Sequence, residues 1–403
     1  MGGINNKHGG TGMIPKIIAL IMVVVFIATG INGLMLTLRF GGFGSNVRNL
    51  ANTENEIEDE CMNETSYGAD DYKYNFDDME ELSSNTDIDD SGNEGRLNIL
   101  ILGDICFGTS FGRKHKFQDV YDEQGAGYFF SGVQDEFEKN ELIVANIENV
   151  FTTMEEHQES KIYTYKADPM YLNILKESGI TYFGVVNNHM GDYLQSGFDD
   201  SIKNFNLNGI EWFGTNELSS GSVELGDIIV DRKQIFEEGG FKVGLVAYNG
   251  FYESYATDEM IIRDMEYFKR DNMDYIIALV HWGGQNTYDV TPRQKSYGRH
   301  LVDMGIDLVI GGHPHAIQEV EEYKGKRIYY SLGDFLFVER STPKYPDSLM
   351  VKLSLTRRED GSIVEDFENI PALWSGGRTG NTFRPIINKN TDDIKNVLSL
   401  IKI

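Results

Sequence analysis

The stretch YIIALVHWGG at residues 275–284 is an apolar run of strand length that ends in histidine and glycine. The stretch DLVIGGHPH at residues 307–315 has the same form, and residues 292–304 between them follow a helical pattern of apolar positions. A buried strand, a helix and a second buried strand at this spacing indicate a βαβ unit with parallel strands. The sequence therefore predicts an α/β fold.

The same alternation begins near residue 96 and continues almost to the C-terminus. Short apolar runs predict strands at residues 97–102, 142–145, 181–186, 243–248, 275–280, 307–310 and 328–332. Helical patterns lie at residues 169–178, 198–208, 259–270 and 292–304. A later strand over residues 348–355 follows a loop that contains two prolines, and we assign it to a second sheet.

Residues 17–38, IIALIMVVVFIATGINGLMLTL, contain no charged side chain and are bracketed by Lys16 and Arg39. A helix of this length spans a hydrocarbon core of about 30 Å. We expect a transmembrane anchor after a short tail of residues 1–16. A cleaved signal peptide and a buried core helix are the alternatives. Basic residues flank both ends of the segment, so their charges leave its orientation open.

An acidic, disordered linker is expected at residues 39–95, before a folded domain at residues 96–403. Between residues 53 and 95 there are sixteen Asp and Glu residues and one Lys, with no apolar periodicity. Like charges at this density repel one another and keep the chain extended. We interpret the linker as a solvated spacer, with a cation-sequestering tether as the alternative.

The composition excludes some classes of function. The formal net charge of the chain is -27, so a basic surface for nucleic acid is not expected. The two cysteines, Cys61 and Cys106, are too few for a disulfide framework. Hydrophobic residues make up 40% of the chain, enough for a sizeable core, and that core must stabilise the domain.

Polar side chains of the types that bind metals follow the predicted strands at the points where the strands end. These strand-end residues are Asp104, Asn146, Glu148, Asn187, Asn188, His189, His281, His313, His315 and Asp334. The carboxyl ends of strands in an open α/β sheet converge on one crevice, so we expect these side chains to meet. Oxygen and imidazole donors suit Mn, Fe, Zn or Mg rather than a thiolate-preferring ion.

Each motif alone also has a plainer interpretation. Gly103-Asp104 can be an ordinary turn, Asn187-Asn188-His189 a hydrogen-bonded turn, and His281 a satisfied buried histidine. In His313-Pro314-His315 we expect the proline to fix an extended pair of imidazoles that binds one or two ions. Four of the eight histidines lie in these motifs, and the set taken together favours a metal site.

The ordered motifs G-D, N-x-E, N-N-H-x-x-D, H-W-G, H-P-H and S-L-G-x-F resemble those of the CapA family of bacterial capsule-biosynthesis proteins, the poly-γ-glutamate synthesis group. The resemblance runs from about Asn98 to Phe337. Supporting motifs are Lys161-Ile-Tyr-Thr-Tyr-Lys-Ala-Asp-Pro169, Asn208-Gly209-Ile210 and Gln318. The family is similar to calcineurin-like metallophosphoesterases. The resemblance implies a four-layer α/β/β/α sandwich of the metallo-dependent phosphatase type, here preceded by one transmembrane helix, with a metal centre at the sheet ends.

The resemblance implies metal ligands and catalytic residues. The implied ligands of one or two divalent ions are Asp104, Glu148, Asn188, His281, His313 and His315. His189 corresponds to a histidine that faces the substrate, and it is the candidate general acid. Asp192 is placed to orient the ring of His189, with a helix or turn cap as the alternative. Such ions would bring the pKa of bound water toward neutrality.

Two positions depart from the family pattern. Metallophosphoesterases commonly open with Asp-x-His, but Cys106 stands at the third position, either as a metal ligand or, as we prefer, as a small buried thiol. Asp334 stands where the family usually has asparagine, and its carboxylate either binds metal or accepts a backbone hydrogen bond. Centres with one ion and with two ions therefore both remain open.

We expect a membrane-anchored capsule or poly-γ-glutamate biosynthesis protein that crosses the cell membrane once. Its metal-dependent, hydrolase-like domain would lie outside the cell and act on an anionic polymer such as poly-γ-glutamate. One alternative is a non-catalytic export or assembly subunit that binds membrane subunits of a capsule synthase. Another is a metal-dependent phosphodiesterase. Its candidate phosphate clamps are Lys161, Lys166, Arg293 and Arg299.

Overall fold

The structure is a computed structural model that describes residues 95–110, 116–216, 228–251 and 256–401. The chain divides into two units, residues 1–87 and residues 88–403, and every described residue belongs to the second. The expected tail, the expected anchor at residues 17–38 and nearly all of the linker lie outside the described residues. Among the helices of the described part, none has the length and apolar character needed to cross a membrane.

The described strands form three sheets, called sheet 1, sheet 2 and sheet 3. Sheet 1 contains β1 (Arg96–Cys106), β3 (Leu142–Ile147), β6 (Tyr182–Gly184), β7 (Glu211–Asn216), β8 (Val230–Arg232), β15 (Asp334–Phe337), β16 (Asp347–Arg357), β17 (Ile363–Leu373) and β18 (Ile386–Ile387). Sheet 2 contains β9 (Gln234–Glu238), β10 (Phe241–Asn249), β11 (Tyr275–His281), β12 (Leu308–Gly312), β13 (Val320–Tyr323) and β14 (Lys326–Tyr329). Sheet 3 contains β2 (Thr109–Ser110), β4 (Val150–Phe151) and β5 (Tyr165–Ala167).

Both large sheets have a parallel centre and antiparallel margins. In sheet 1 the order is β18-β17-β16-β1-β3-β6-β7-β8, with β15 also paired to β1. The pairs β1–β3, β3–β6, β6–β7 and β1–β15 are parallel. In sheet 2 the order is β13-β14-β12-β11-β10-β9, and the four strands β10, β11, β12 and β14 run parallel. Parallel strands end at the same edge of their sheet, which gathers the residues that follow them.

Seven α-helices lie in the described part. They are α1 (Lys116–Gln124), α2 (Gln134–Phe137), α3 (Leu172–Ser178), α4 (Leu194–Asn208), α5 (Asp258–Arg270), α6 (Pro292–Asp303) and α7 (Thr391–Ile401), with short 3-10 turns at Ala126–Tyr128 and Pro169–Tyr171. Helix α6 begins at a capping box in which Thr291 and Gln294 bond each other's backbone N–H groups. Helix α4 ends at Gly209, whose φ of 69° is the left-handed conformation that favours glycine.

Sheets 1 and 2 pack face to face over a shared apolar core. That core joins side chains of β1 and β3 with side chains of β10, β11 and β12. The approach is close at Gly184, where an added Cβ would lie 2.8 Å from Cδ1 of Leu279. A second core lies between sheet 2 and helices α5 and α6, where Phe268 and Leu301 are fully buried. Each such side chain contributes roughly 1.5–3 kcal/mol through its burial.

The predicted α/β class is confirmed, and each predicted apolar strand and helix corresponds to an observed element within a few residues. The sheet assignment of residues 348–355 was wrong. Strand β16 pairs antiparallel with β1, so it belongs to sheet 1. The reason is that β16 returns along the exposed edge of β1 and covers its backbone groups.

Candidate metal centre

The strand ends of sheets 1 and 2 bring the predicted site residues together. In sheet 1, Asp104 is paired in register with Asn146 on one side and with Asp334 on the other. In sheet 2, His281 is paired with Gly312, the residue before His313. All six predicted ligand residues are buried, with at most 5% of the surface of each exposed. The strand ends therefore converge as predicted, although they are far apart in the sequence.

The carboxylate of Asp104 is fixed by two donors. Nδ2 of Asn146 donates to Oδ1 at 2.8 Å, and the backbone N–H of His313 donates to Oδ2 at 2.8 Å. Gly312 leaves room for this carboxylate, since a Cβ at that position would lie 2.4 Å from Oδ1. Burial, followed by the charge of Glu148, raises the pKa of Asp104 to about 7.

Glu148 stands at the centre of the cluster. Its Oε1 lies 3.5 Å from Nε2 of His281, 3.8 Å from Nε2 of His189 and 3.9 Å from Nε2 of His315. Among the described residues, neither carboxylate oxygen of Glu148 has a hydrogen-bond partner. Burial raises the pKa of Glu148 to about 8. A buried carboxylate with both oxygens unpaired is costly, and a cation is the group that would offset that cost.

Two of these imidazoles are held by aspartates. Nδ1 of His189 lies 2.6 Å from Oδ2 of Asp192, and Nδ1 of His315 lies 2.8 Å from Oδ1 of Asp334. The carboxylates accept from Nδ1, so each ring carries a proton there and directs Nε2 toward Glu148. Carboxylate–histidine pairs of this kind orient metal-binding imidazoles in many proteins.

Each of these two aspartates also contacts a cation. Nζ of Lys161 lies 2.6 Å from Oδ1 of Asp192, and Nη1 of Arg340 lies 3.2 Å from Oδ2 of Asp334. Two cation–carboxylate–imidazole series therefore converge on Oε1 of Glu148.

The other proposed phosphate clamps have a different placement. Lys166 pairs with Glu155 at 2.8 Å, and Arg299 pairs with Glu321 at 2.6 Å. Arg293 lies in the first turn of α6. The charge of Lys161 is bound directly to Asp192, which holds the ring of His189.

The donor set fits one or two divalent ions. Ligand atoms of Glu148, His281 and His313 lie within 4.8 Å of one another, and so do those of Asp104, His315 and Asp334. Oδ1 of Asn188 lies 3.0 Å from Nε2 of His281, which brings the sixth predicted ligand into the same space. Burial lowers the pKa of both His313 and His315, so the rings stay neutral and keep their lone pairs.

Some expectations for individual residues need correction. His313 and His315 have φ values of 93° and 56°, so His313-Pro314-His315 is not extended. The left-handed backbone costs about 1–3 kcal/mol per residue and turns both rings inward. Asp334 was expected to bind metal or accept a backbone hydrogen bond. Its carboxylate is in one of the two candidate ligand groups, so the metal alternative stays a prediction, and Oδ1 also contacts the ring of His315.

Cys106 behaves as the small buried thiol that we preferred. Its Sγ donates to the carbonyl of Gly108 at 3.8 Å, and it packs with Tyr165, Phe337 and Trp374. Burial raises the pKa of Cys106, which keeps the thiol protonated and disfavours a thiolate ligand.

Sequence reasoning missed several contributors. Asn187 donates to Oδ1 of Asn146 and to the carbonyl of Ile147, and both asparagines stood in the strand-end motifs without an assigned role. The ring of Tyr165 packs against that of His189 in a tilted arrangement, with 4.2 Å between the ring centroids. Arg340 had no sequence signal, because it lies in a loop beyond β15.

The fold and the cluster define an α/β protein with a buried His, Asp and Glu centre at the ends of two facing sheets. The chain belongs to the bacterial capsule synthesis protein PGA_cap family, whose model matches residues 98–339. The resemblance to the CapA family is thereby confirmed.

Individual proteins show the same relationship. The chain is 26% identical to capsule biosynthesis protein CapA of Bacillus anthracis, over 67% of this chain and 66% of that protein, slightly less than two thirds of its length. It is also 26% identical to PGA biosynthesis protein CapA of Bacillus subtilis (strain 168), over 66% of this chain and 69% of that protein. Among solved structures, a hypothetical protein from Thermus thermophilus is 14% identical over 68% of this chain and 99% of that one, with a TM-score of 0.39.

Proposed function

We propose that this chain is a membrane-anchored capsule biosynthesis protein. Its extracellular domain would be a metal-dependent hydrolase that acts on an anionic polymer such as poly-γ-glutamate. Membership of the PGA_cap family and the names of the relatives support the role in capsule synthesis. The uncharged residues 17–38 support a single membrane anchor. The two facing sheets, with helices packed against them, support the four-layer sandwich of the metallo-dependent phosphatase type.

One observation carries the hydrolase proposal. Glu148 is fully buried, both of its carboxylate oxygens lack a hydrogen-bond partner among the described residues, and three imidazole Nε2 atoms lie within 3.9 Å of Oε1. Such an arrangement is destabilising in a cation-free core. It is the arrangement that holds a divalent ion with oxygen and nitrogen ligands.

The chain's own residues then have distinct roles. The residues that would hold the ion or ions are Asp104, Glu148, Asn188, His281, His313 and His315. A divalent ion, when bound, supplies Lewis acidity and activates water at neutral pH. When its ring carries protons on both nitrogens, His189 would give the Nε2 proton to the leaving group and be left neutral, while Asp192 keeps the other ring proton on Nδ1. Lys161 fixes Asp192 by its ion pair with Oδ1.

Elemental analysis and an activity assay of the purified full-length chain test this proposal. Wild type should contain a divalent metal and hydrolyse poly-γ-glutamate, with a generic phosphodiester as the comparison substrate. Asp104→Ala should lose both metal and turnover, whereas Asp360→Ala, at an exposed turn, should keep both. Wild-type turnover that persists after complete metal removal would refute the metal-dependent reaction. Faster turnover of the phosphodiester would favour the phosphodiesterase alternative.

A second candidate function is a non-catalytic export or assembly subunit of a capsule synthase. The burial of all six candidate ligands favours it, because an enclosed ion can serve the fold alone. This candidate predicts that membrane subunits purify with the full-length chain and that the metal-loaded chain has no turnover. Efficient turnover by the purified chain would reject it.

A further inference from the structure

Arg340 lies beside the candidate metal centre but is not among the candidate ligands. Its Nη1 is 3.2 Å from Oδ2 of Asp334, and its guanidinium lies 4.7 Å from the centroid of the Phe337 ring. Phe337 in turn meets the ring of His315 edge-on at 5.2 Å. Arg340 is therefore linked to His315 by two routes, one polar and one aromatic. About a fifth of its side chain is exposed, which leaves a path from solvent to the guanidinium.

The backbone that carries Arg340 is held in place by one side chain. Nδ2 of Asn381 donates to the carbonyls of Phe337 and Arg340, both at 2.8 Å. The backbone N–H of Asn381 donates to the carbonyl of Ser341 at 3.1 Å. A loop fixed in this way loses little conformational entropy when its side chain binds a ligand.

The guanidinium keeps donors for a ligand. An arginine has five N–H donors in a planar fork, and among the described residues the polar contact of this fork is with Asp334. Oδ2 of Asp334 is close enough for an ion pair, yet it makes no hydrogen bond in the described part of the chain. Lys161 differs, because its ammonium contacts both the carbonyl of Asn188 and Oδ1 of Asp192. Arg340 is thus the better placed of the two cations to bind an anion.

The proposed substrate is an anionic polymer, and the N–H donors of Arg340 are suited to bind one of its carboxylates. The chain has a net charge of -27, which repels a polyanion at long range, so an anionic substrate needs a local cation beside the reacting bond. The fork of an arginine matches the two oxygens of a carboxylate. A polymer of γ-linked glutamate carries one carboxylate next to every amide bond of its backbone.

We propose that Arg340 is a specificity-determining residue that binds a substrate carboxylate adjacent to the bond that is cleaved. This inference rests on the proposed function, because it names the substrate group that the same site recognises. Asp334 holds the guanidinium from the protein side, and the remaining N–H groups of the fork meet the carboxylate from the solvent side. Phe337 supports the guanidinium through its ring face.

Calorimetric titration of the full-length chain with a short oligo-γ-glutamate, and with its methyl ester, tests the proposal. Wild type should bind the free acid more tightly than the ester. Arg340→Gln should weaken binding of the acid at least about tenfold and leave the ester unchanged. Arg340→Lys should be intermediate, since it keeps the charge but loses the fork. Lys344→Gln, at an exposed position of the same loop, is the matched control and should bind both ligands as wild type does.

The other outcomes decide against the proposal. Equal binding of acid and ester by wild type would overturn it, and so would an Arg340→Gln variant that binds the acid normally. A loss of metal from Arg340→Gln, measured by elemental analysis, would also overturn it, because the residue would then act through Asp334. Displacement of the acid by inorganic phosphate at equal concentration would contradict selectivity for a carboxylate.

The titration needs no turnover, so it separates this inference from the hydrolase proposal. Arg340-dependent binding by a chain without turnover would reject the hydrolase and keep the carboxylate site. Normal turnover with binding that is independent of Arg340 would reject the carboxylate site alone.

Discussion

Oε1 of Glu148, at the end of a strand in sheet 1, lies 3.5 Å from Nε2 of His281, the last residue of a strand in sheet 2. The candidate centre therefore exists only when the two sheets are packed against each other. Neither oxygen of Glu148 is hydrogen-bonded within the described residues, so the protein keeps an unpaired carboxyl group between the two sheets. Ion binding and folding of the domain are consequently linked, since an ion that binds the folded state stabilises it.

The first prediction concerns Glu148→Gln. The amide has the same shape but no charge, so divalent-ion affinity should fall at least about tenfold. Above about pH 8, where Glu148 is ionised, the metal-free variant should be more stable than metal-free wild type by about 1 to 3 kcal/mol. Calorimetric ion titration and thermal unfolding measure the two effects.

The control for this prediction is Glu359→Gln, which changes an exposed glutamate. It should alter neither ion affinity nor stability by more than a few tenths of a kcal/mol. Unchanged ion affinity in Glu148→Gln would remove the residue from the ligand set.

Much of this centre was predictable because the end of each apolar run in the sequence marks the end of a buried strand. An apolar run such as residues 275–280 reports a buried parallel strand, and its last residue must lie at the carboxyl edge of the sheet. His281 follows from this rule, and so do Asp104 and Glu148. Parallel strands, joined by the intervening helices, bring the side chains within each sheet to the same edge, and the packing of the two sheets brings His281 to Asp104 and Glu148.

What the sequence could not provide depends on contacts between distant segments. The left-handed φ of His313 is unusual for a non-glycine residue before proline, and no pattern in the neighbouring sequence predicts this conformation. Arg340 reaches Asp334 because Asn381 holds the intervening loop, and that contact joins residues about forty positions apart. Local periodicity likewise predicts that β16 is a strand, but it does not predict that this strand pairs with β1.

The second prediction is a pH dependence of stability in the metal-free protein. Burial raises the pKa of Asp104 to about 7 and that of Glu148 to about 8, so the folded state holds protons that the unfolded chain has released. Stability must therefore fall as pH rises through these values. His313 and His315 act in the opposite sense, because burial lowers their pKa, but their effect is confined to pH values below about 6.5.

Thermal or urea unfolding after metal removal should show a loss of about 1 to 3 kcal/mol between about pH 6.5 and about pH 8.5. Saturating divalent ion should abolish this loss, since the ion favours the ionised carboxylates. Metal-free protein that is equally stable at both pH values would contradict the assignment of protonated carboxyl groups to the cluster.

The third prediction is that Gly312→Ala disrupts the centre without changing a candidate ligand. Its Cβ would lie 2.4 Å from Oδ1 of Asp104, and Asn146 prevents that oxygen from moving freely. Ion affinity should fall about 10- to 100-fold, and stability should fall by about 1 to 3 kcal/mol. In the control Gly284→Ala the nearest atom is Cγ2 of Thr287 at 3.8 Å, an ordinary contact, so ion content and melting temperature should be retained. Normal ion affinity in Gly312→Ala would mean that Asp104 is not held as described.

The fourth prediction separates orientation of the general acid from ion binding. In Asp192→Asn the new amide cannot accept from all three of its neighbours, the ring of His189, the N–H of Tyr165 and the ammonium of Lys161. The proton of His189 should then leave Nδ1 in part of the molecules, and kcat should fall about 100-fold with KM and metal content unchanged. Nitrogen chemical shifts of the labelled imidazole report the tautomer even if the chain has no turnover.

Asp199→Asn, at an exposed position of α4, is the control and should leave the nitrogen chemical shifts and kcat as in wild type. Because Asp192 is not a candidate ligand, a loss of metal in Asp192→Asn would show that the aspartate supports the ion site rather than the acid.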